Sequence, residues 1–247
     1  MSTLKGKVAV ITGGNSGIGY ATAKEMKKQG ATVIITGRRK EAIEEAAKEL
    51  GVIAKVADQA NMEAIAGLAA SINEEFGNID ILFINAGITG KSEIKDATEA
   101  LWNSVVDINL KGAYFTLSHF IRMINDGGSV VFLSSIVATR TIAGSSIYAL
   151  SKAAINSVVQ TAALELAPRN IRVNAVSPGP TETGVFDKMG LDDNTKAAVK
   201  NALQQKIPLK QIGHPDDVAA MVIHLCSDAA KFITGAEVKM DGGMTIA

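Results

Sequence analysis

Tyr148 and Lys152 stand four residues apart in the run IYALSKAA, residues 147–154, which is otherwise built from small or apolar side chains and one serine. On a helix, positions i and i+4 lie on one face, one turn apart. An ammonium held near a phenol favours the phenolate, so it should draw the tyrosine pKa down from about 10 toward the operating pH. A tyrosine tuned in this way can exchange a proton with an alcohol oxygen. Tyr-x-x-x-Lys occurs often by chance, and the pair gains meaning from its company. Ser134 and Ser135 end a Val-rich run, with Ser135 thirteen residues before Tyr148. Side chains alternate along a strand, so the two serines should point to opposite sides. Upstream, DINLKG places the amide of Asn109 inside an apolar segment, where a polar group without partners is costly.

A second stretch is TGGNSGIG, residues 12–19. Gly13, Gly17 and Gly19 allow a sharp turn and bring backbone N–H groups close to a ligand, with Asn15, Ser16 and Ile18 between them. A helix beginning there offers unpaired N–H groups and a positive dipole end to a pyrophosphate. Further on, TGRRK (36–40) sets Gly37 where an acidic residue would bind the ribose hydroxyls of NAD. Arg38 and Arg39 follow it and can grip a phosphate, which favours NADP(H) over NAD(H).

These groups require a frame. Short Val- and Ile-rich runs recur at 8–12, 32–36, 52–57, 79–84, 129–133, 171–176 and 237–240, each of a length suited to a strand buried on both faces. Helical spacing fills 21–29 and 64–76, closed by Gly30 and Gly77. A long helix is expected over about 98–123, and another over 146–167, ended by Pro168. The alternation predicts a single α/β domain over residues 1–247: a doubly wound parallel sheet, the Rossmann fold, of about seven strands with helices on both faces. From Pro178 to Pro208 the rhythm breaks. Phe186, Met189, Leu191, Val199 and Leu203 give this stretch apolar residues of its own, and we expect a substrate lid over about 181–208. In the 146–167 helix, Ala154, Ile155, Val158, Val159, Ala162, Ala163 and Leu166 cover too wide an arc for a single core-facing stripe, so one side should meet the sheet and another a partner subunit.

The T-G-x-x-x-G-x-G loop followed in order by Asn109, Ser135, Tyr148 and Lys152 resembles the short-chain dehydrogenase/reductase family. INAG (84–87) is similar to the family's Asn-Asn-Ala-Gly, with Ile84 in place of the first asparagine, and VSPGPTET (176–183) and TGAEVKMDGG (234–243) extend the likeness. The resemblance implies reversible hydride transfer between a nicotinamide and a carbonyl carbon. In it Ser135 holds the substrate oxygen, Tyr148 donates the proton, and Lys152 binds the nicotinamide ribose and lowers the tyrosine pKa. The Asn109 position binds a water that links the lysine to solvent. Asp58 would contact the adenine, and Asn85, Ala86 and Gly87 would border the adenosine side. Pro178, Gly179 and Thr181 or Thr183 would lie near the carboxamide. Family members are commonly tetramers or dimers, so a homotetramer is expected, with a dimer as the smaller alternative.

Ile136, Val137, Ile142, Ala143 and Ile147 form an apolar strip whose only charge is Arg140. The substrate is therefore expected to be a small or medium, mostly apolar ketone, aldehyde or alcohol. A carrier-linked 3-oxoacyl reductase is the alternative, but such relatives usually have a basic residue nine positions before the catalytic serine, where this chain has Asp126. A reading of another class is a non-catalytic dinucleotide sensor or scaffold, in which the proton-transfer groups would have no use.

The 25 basic and 25 acidic side chains cancel, and hydrophobic residues make up 47% of the chain. This leaves no electrostatic footprint for nucleic acid or an anionic membrane. The lone Cys226 excludes an internal disulfide, reads as a core thiol and fits a reducing compartment. No apolar run approaches the roughly 20 residues of a membrane span. The N-terminus has no signal-peptide pattern, so a cytoplasmic location is expected. His119, His214 and His224 are scattered, and no metal is implied.

Overall fold

A computed structural model describes residues 4–183 and 192–247. The Val- and Ile-rich runs become strands whose alternate side chains feed two separate layers of core. They are β1 (Val8–Thr12), β2 (Thr32–Gly37), β3 (Ile53–Val56), β4 (Ile79–Ile84), β5 (Ile124–Leu133), β6 (Arg172–Pro178) and β7 (Glu237–Met240). They pair in parallel in the order β3-β2-β1-β4-β5-β6-β7. The helices are α1 (Gly17–Lys28), α2 (Lys40–Leu50), α3 (Met62–Phe76), α4 (Glu99–Val106), α5 (Ala113–Phe120), α6 (Ser146–Leu166), α7 (Asp193–Gln205) and α8 (Pro215–Cys226). On one face Val10, Leu82 and Phe132 pack with Ile72, Phe120 and Val159 of α3, α5 and α6. On the other, Ile11, Phe83 and Val131 pack with Met26, Ile43 and Val222 of α1, α2 and α8. Full burial of each such side chain contributes roughly 1.5–3 kcal/mol. The chain reverses direction across the sheet between β1 and β4, which is where an open parallel sheet leaves a ligand crevice at its carboxyl edge.

Three expectations are corrected. The long helix over 98–123 is not continuous: α4 and α5 are separated by a π-helical segment, Asp107–Gly112, and α5 ends in a 3₁₀ turn, Ile121–Met123. Gly112 lets this segment pass close to Gln59, since a Cβ there would lie 2.0 Å from the Gln59 carbonyl oxygen. Asn109, described below, lies in the same segment. The strand expected at 129–133 begins at Ile124, and its register against β4 shifts between the pairs Ile79–Ile124 and Ile81–Ser129. The shift absorbs NDGG, whose turn-forming residues mask the strand in the sequence. The wide apolar arc of α6 is mostly consumed within the chain, since Ile155, Val159, Ala162, Ala163 and Leu166 are all buried. Leu164 is the apolar side chain of α6 that stands out, 79% exposed.

Of the stretch 181–208, residues 181–183 and 192–208, which include α7, are described. Phe186, Met189 and Leu191 lie outside the described residues.

Candidate functional site

The glycine loop closes over the β1–β4 crevice because its backbone has no side chains in the way. Gly13 adopts φ +66°, and a Cβ there would sit 2.9 Å from Ala86 Cα; at Gly19 a Cβ would lie 2.3 Å from the Gly13 carbonyl oxygen. The Asn85 amide donates to the carbonyls of Thr12 and Gly13, both at 2.9 Å. Thr12 Oγ1 in turn accepts from the N–H groups of Asn85 and Ala86, both at 3.0 Å. Asn85 thus ties the end of β4 to the loop after β1, and its side-chain donors are committed there. Ile18 turns its side chain into the core, so only its backbone can face a ligand. No side chain caps α1 at Ser16, and its first turn has no acid. By contrast Asn61, Thr98 and His214 cap α3, α4 and α8. An uncapped, acid-free helix start beneath a stripped-down loop suits a pyrophosphate.

The neighbouring pieces fit the same dinucleotide. Thr183 packs against Gly17, 3.2 Å from where a Cβ would be. Gly179 is held by its N–H to the Met240 carbonyl at 2.9 Å, and the Thr181 hydroxyl donates to the Gly179 carbonyl at 3.0 Å. Pro178 ends β6 beside them. Asp58 Oδ1 accepts from the Ala60 N–H at 3.0 Å at the carboxyl end of β3. A Cβ on Gly37 would lie 3.4 Å from Asn15 Oδ1, so the turn after β2 adjoins the glycine loop. Arg38 and Arg39 are exposed beside it, and among the described residues neither has a carboxylate partner.

Farther along the carboxyl edge, Ser135, Tyr148, Lys152 and Asn109 come together. Ser135 follows β5 and caps a short 3₁₀ turn, Ile136–Ala138, accepting from Val137 N–H at 3.4 Å. The Tyr148 phenol faces its hydroxyl, near enough for the serine to favour the phenolate. Ser134 turns the other way and donates to the Lys152 carbonyl at 3.3 Å. Lys152 Nζ donates to the Leu133 carbonyl at 2.7 Å and lies 5.9 Å from the centroid of the Tyr148 ring. Asn109, 1% exposed, grips the backbone of Ile88 with both ends of its amide: Oδ1 accepts from Ile88 N–H and Nδ2 donates to Ile88 O, each at 2.8 Å. Nδ2 also reaches Ser151 Oγ at 3.3 Å, and Ser151 donates to the Tyr148 carbonyl at 2.7 Å. This grip accompanies the π-helical segment; such local widening of a helix is frequent at functional sites. Both Asn109 side-chain N–H groups are committed, so a water linked to this position must be held by other atoms. A Cβ on Gly87 would come 3.2 Å from Asn109 Oδ1 and 3.5 Å from Lys152 Nζ, which makes that glycine the space between the two.

The expected fall in the tyrosine pKa is not met. Burial of the phenol raises the Tyr148 pKa above 10, and the Ser135 hydroxyl, which works the other way, only moderates it. The ammonium lies 5.9 Å from the ring centroid and is turned to the Leu133 carbonyl. Lys152 is the more perturbed group, drawn down from 10.5 to about 8 by burial. Below pH 8 both folded and unfolded chains carry this proton; between about 8 and 10.5 only the unfolded chain does, so the lysine's contribution to stability rises with pH across that window. The urea midpoint of the wild-type chain relative to Lys152→Met should therefore climb between pH 7.5 and 10, by an amount equivalent to about 2 kcal/mol. A flat difference would show that the ammonium is not desolvated.

Two members of the site were missed in the sequence, Thr12 and Ser151. The available signals were a threonine closing a buried strand just before the loop, and a hydroxyl three residues after Tyr148 in an apolar helix. Cys226, read as a core thiol, has its pKa pushed up to about 12 by burial beside Ser129 and Arg172.

Comparison with known proteins finds relatives along nearly the whole chain. A family model described as enoyl-(acyl carrier protein) reductase matches residues 13–245. The NADP-dependent (R)-specific alcohol dehydrogenase of Lentilactobacillus kefiri is 38% identical, with 98% of each chain covered. The 3-oxoacyl-[acyl-carrier-protein] reductase FabG of Thermotoga maritima is 37% identical, over 98% of this chain and 99% of the relative. A solved short-chain dehydrogenase/reductase from Serratia marcescens superposes with a TM-score of 0.90 at 31% identity, covering 98% of this chain and 99% of that one.

Proposed function

Because the chain belongs to the short-chain dehydrogenase/reductase family, we propose that it is an NADP(H)-dependent oxidoreductase interconverting a small or medium, mostly apolar ketone or aldehyde with its alcohol. The observation that carries this reading is the convergence of Ser135, Tyr148 and the buried Lys152 at the carboxyl edge of the sheet. The nicotinamide, when bound, supplies or receives the hydride. The loop 13–19, with Asp58, 85–87, Pro178, Gly179, Thr181 and Thr183, would hold the dinucleotide, and Lys152 would meet its ribose. Ser135 orients the carbonyl oxygen. Tyr148, protonated at neutral pH, hands its proton to that oxygen, and the Lys152 ammonium offsets the negative charge left on the phenolate. Asn109 holds the backbone after Gly87 in place.

NADP(H) is favoured because Gly37 offers no acid, while Arg38 and Arg39 stand without carboxylate partners among the described residues. The carrier-linked alternative is disfavoured by Asp126, whose carboxylate accepts from Arg169 Nε at 2.8 Å and so occupies the expected docking position with an acid. Exposed Trp102, Tyr114, Phe115 and Leu164 on α4, α5 and α6 support self-association as a homotetramer, with a dimer as the smaller alternative. Among the described residues no helix is long and apolar enough to cross a membrane. We place the protein in the cytoplasm, a reducing compartment that suits its single cysteine.

The test is a panel of ketones, aldehydes and secondary alcohols assayed in parallel with NADPH and NADH by nicotinamide absorbance. Turnover of small apolar ketones with NADPH is expected. Equal or better rates with NADH would overturn the cofactor assignment, and turnover confined to carrier-linked 3-oxoacyl substrates would overturn the substrate assignment.

A further inference from the structure

Beyond the two main cores lies a small third one, in which Ile136, Ile207 and Met244 are buried together, with Leu203 and Ile212 packed against them. Its members come from three places. Ile136 directly follows Ser135. Leu203 sits on α7, with Ile207 and Ile212 in the segment after it. Met244 belongs to the C-terminal turn after β7.

That turn is tightly built. The Asp241 carboxylate accepts from Gly243 N–H at 3.0 Å and from Thr245 N–H at 2.8 Å, and the Asp241 carbonyl accepts from Met244 N–H at 3.1 Å. Its two glycines are the surfaces on which the segment after α7 rests. A Cβ on Gly242 would fall 2.5 Å from Ile207 Cγ2, one on Gly243 would fall 3.2 Å from Pro208 Cγ, and Leu209 N–H donates to the Gly242 carbonyl at 3.1 Å. The turn also meets the end of β6, because a Cβ on Gly179 would lie 2.8 Å from Asp241 Cβ and 3.6 Å from Ile136 Cδ1.

Resting on the oxidoreductase reading above, we infer that the C-terminal turn 241–245 sets the carbonyl-binding side of the cleft, with Met244 as a positioning residue for the Ser135–Ile136 corner and for the chain after α7. Met244 touches neither reacting group. It fixes Ser135 through Ile136, and the substrate side through Ile207. The glycine loop shares no member with this small core, and Gly179 of the dinucleotide site meets the turn at Asp241, which a change at Met244 leaves in place, so the dinucleotide should not register the change.

In the full-length chain, at a temperature well below melting, Met244→Ala should raise KM for the best ketone about tenfold, since displacement of a positioned group by a fraction of an ångström costs that much or more. The Kd for NADPH, read by fluorescence titration, should stay within about twofold. Met244→Leu, close in volume, should return KM to within about twofold of wild type. Met244→Val, a smaller truncation than alanine, should fall between them and serves if the alanine variant does not fold. An unchanged KM in Met244→Ala, a parallel rise in KM and Kd, or a leucine variant no better than alanine would overturn the inference. A wild-type chain that turns over no carbonyl would overturn the oxidoreductase reading and this inference with it.

Discussion

Tyr148→Phe should lose about 10²- to 10⁴-fold in turnover, the usual worth of a positioned general acid, and still bind NADPH nearly as the wild type does. Phenylalanine keeps the ring beneath the Lys152 ammonium and removes only the phenol oxygen. The loss should therefore appear in kcat and kcat/KM together, the pattern of an interaction made in the transition state. The raised Tyr148 pKa adds a directional consequence. The phenol is protonated throughout the neutral range, so carbonyl reduction has its proton donor in place there. Alcohol oxidation needs the phenolate, and its rate should increase with pH well past neutrality. Steady-state kinetics in both directions, with a dinucleotide titration, would check both points. Retained turnover in Tyr148→Phe would remove the residue from the chemistry.

Gly37→Asp should invert the cofactor preference, lowering the ratio of kcat/KM with NADPH to that with NADH by about 10²-fold, because a carboxylate set against a phosphate costs several kcal/mol where solvent does not screen it. The backbone can accept the change, since Gly37 is not among the glycines with positive φ and an added Cβ would find only ordinary contacts, at 3.4 Å, with Asn15 Oδ1 and Ile43 Cδ1. The new acid would stand where ribose hydroxyls can be gripped, with Arg38 and Arg39 still beside it. A ratio that stays put would mean that the two arginines are not reading the phosphate.

The sheet was legible in the sequence because strands buried on both faces must be nearly continuous in Val and Ile, and the runs at 8–12 and 79–84 correspond to β1 and β4 residue for residue. The start of β5 was not, because NDGG carries turn chemistry that the register shift against β4 absorbs. Asn109 stood out as a costly amide in an apolar helix, but its partner is the backbone of Ile88, 21 residues away, and a main-chain partner leaves no mark in a sequence. For the same reason the π-helical break went unseen: no proline or glycine interrupts α4, and only Gly112 hints at it. The Tyr-x-x-x-Lys spacing correctly gave a shared face, yet it holds no information about depth. Depth is what sends the Lys152 pKa down and the Tyr148 pKa up.

The lacing of Asn85 and Thr12 across the β1–β4 reversal has a thermodynamic consequence. Ordering backbone costs about 1–2 kcal/mol per residue, and the four hydrogen bonds between these two strand ends restrain the start of the loop while the protein folds. A dinucleotide arriving later meets a rigid host, so less of its interaction energy is diverted into immobilising polypeptide and more is left as affinity.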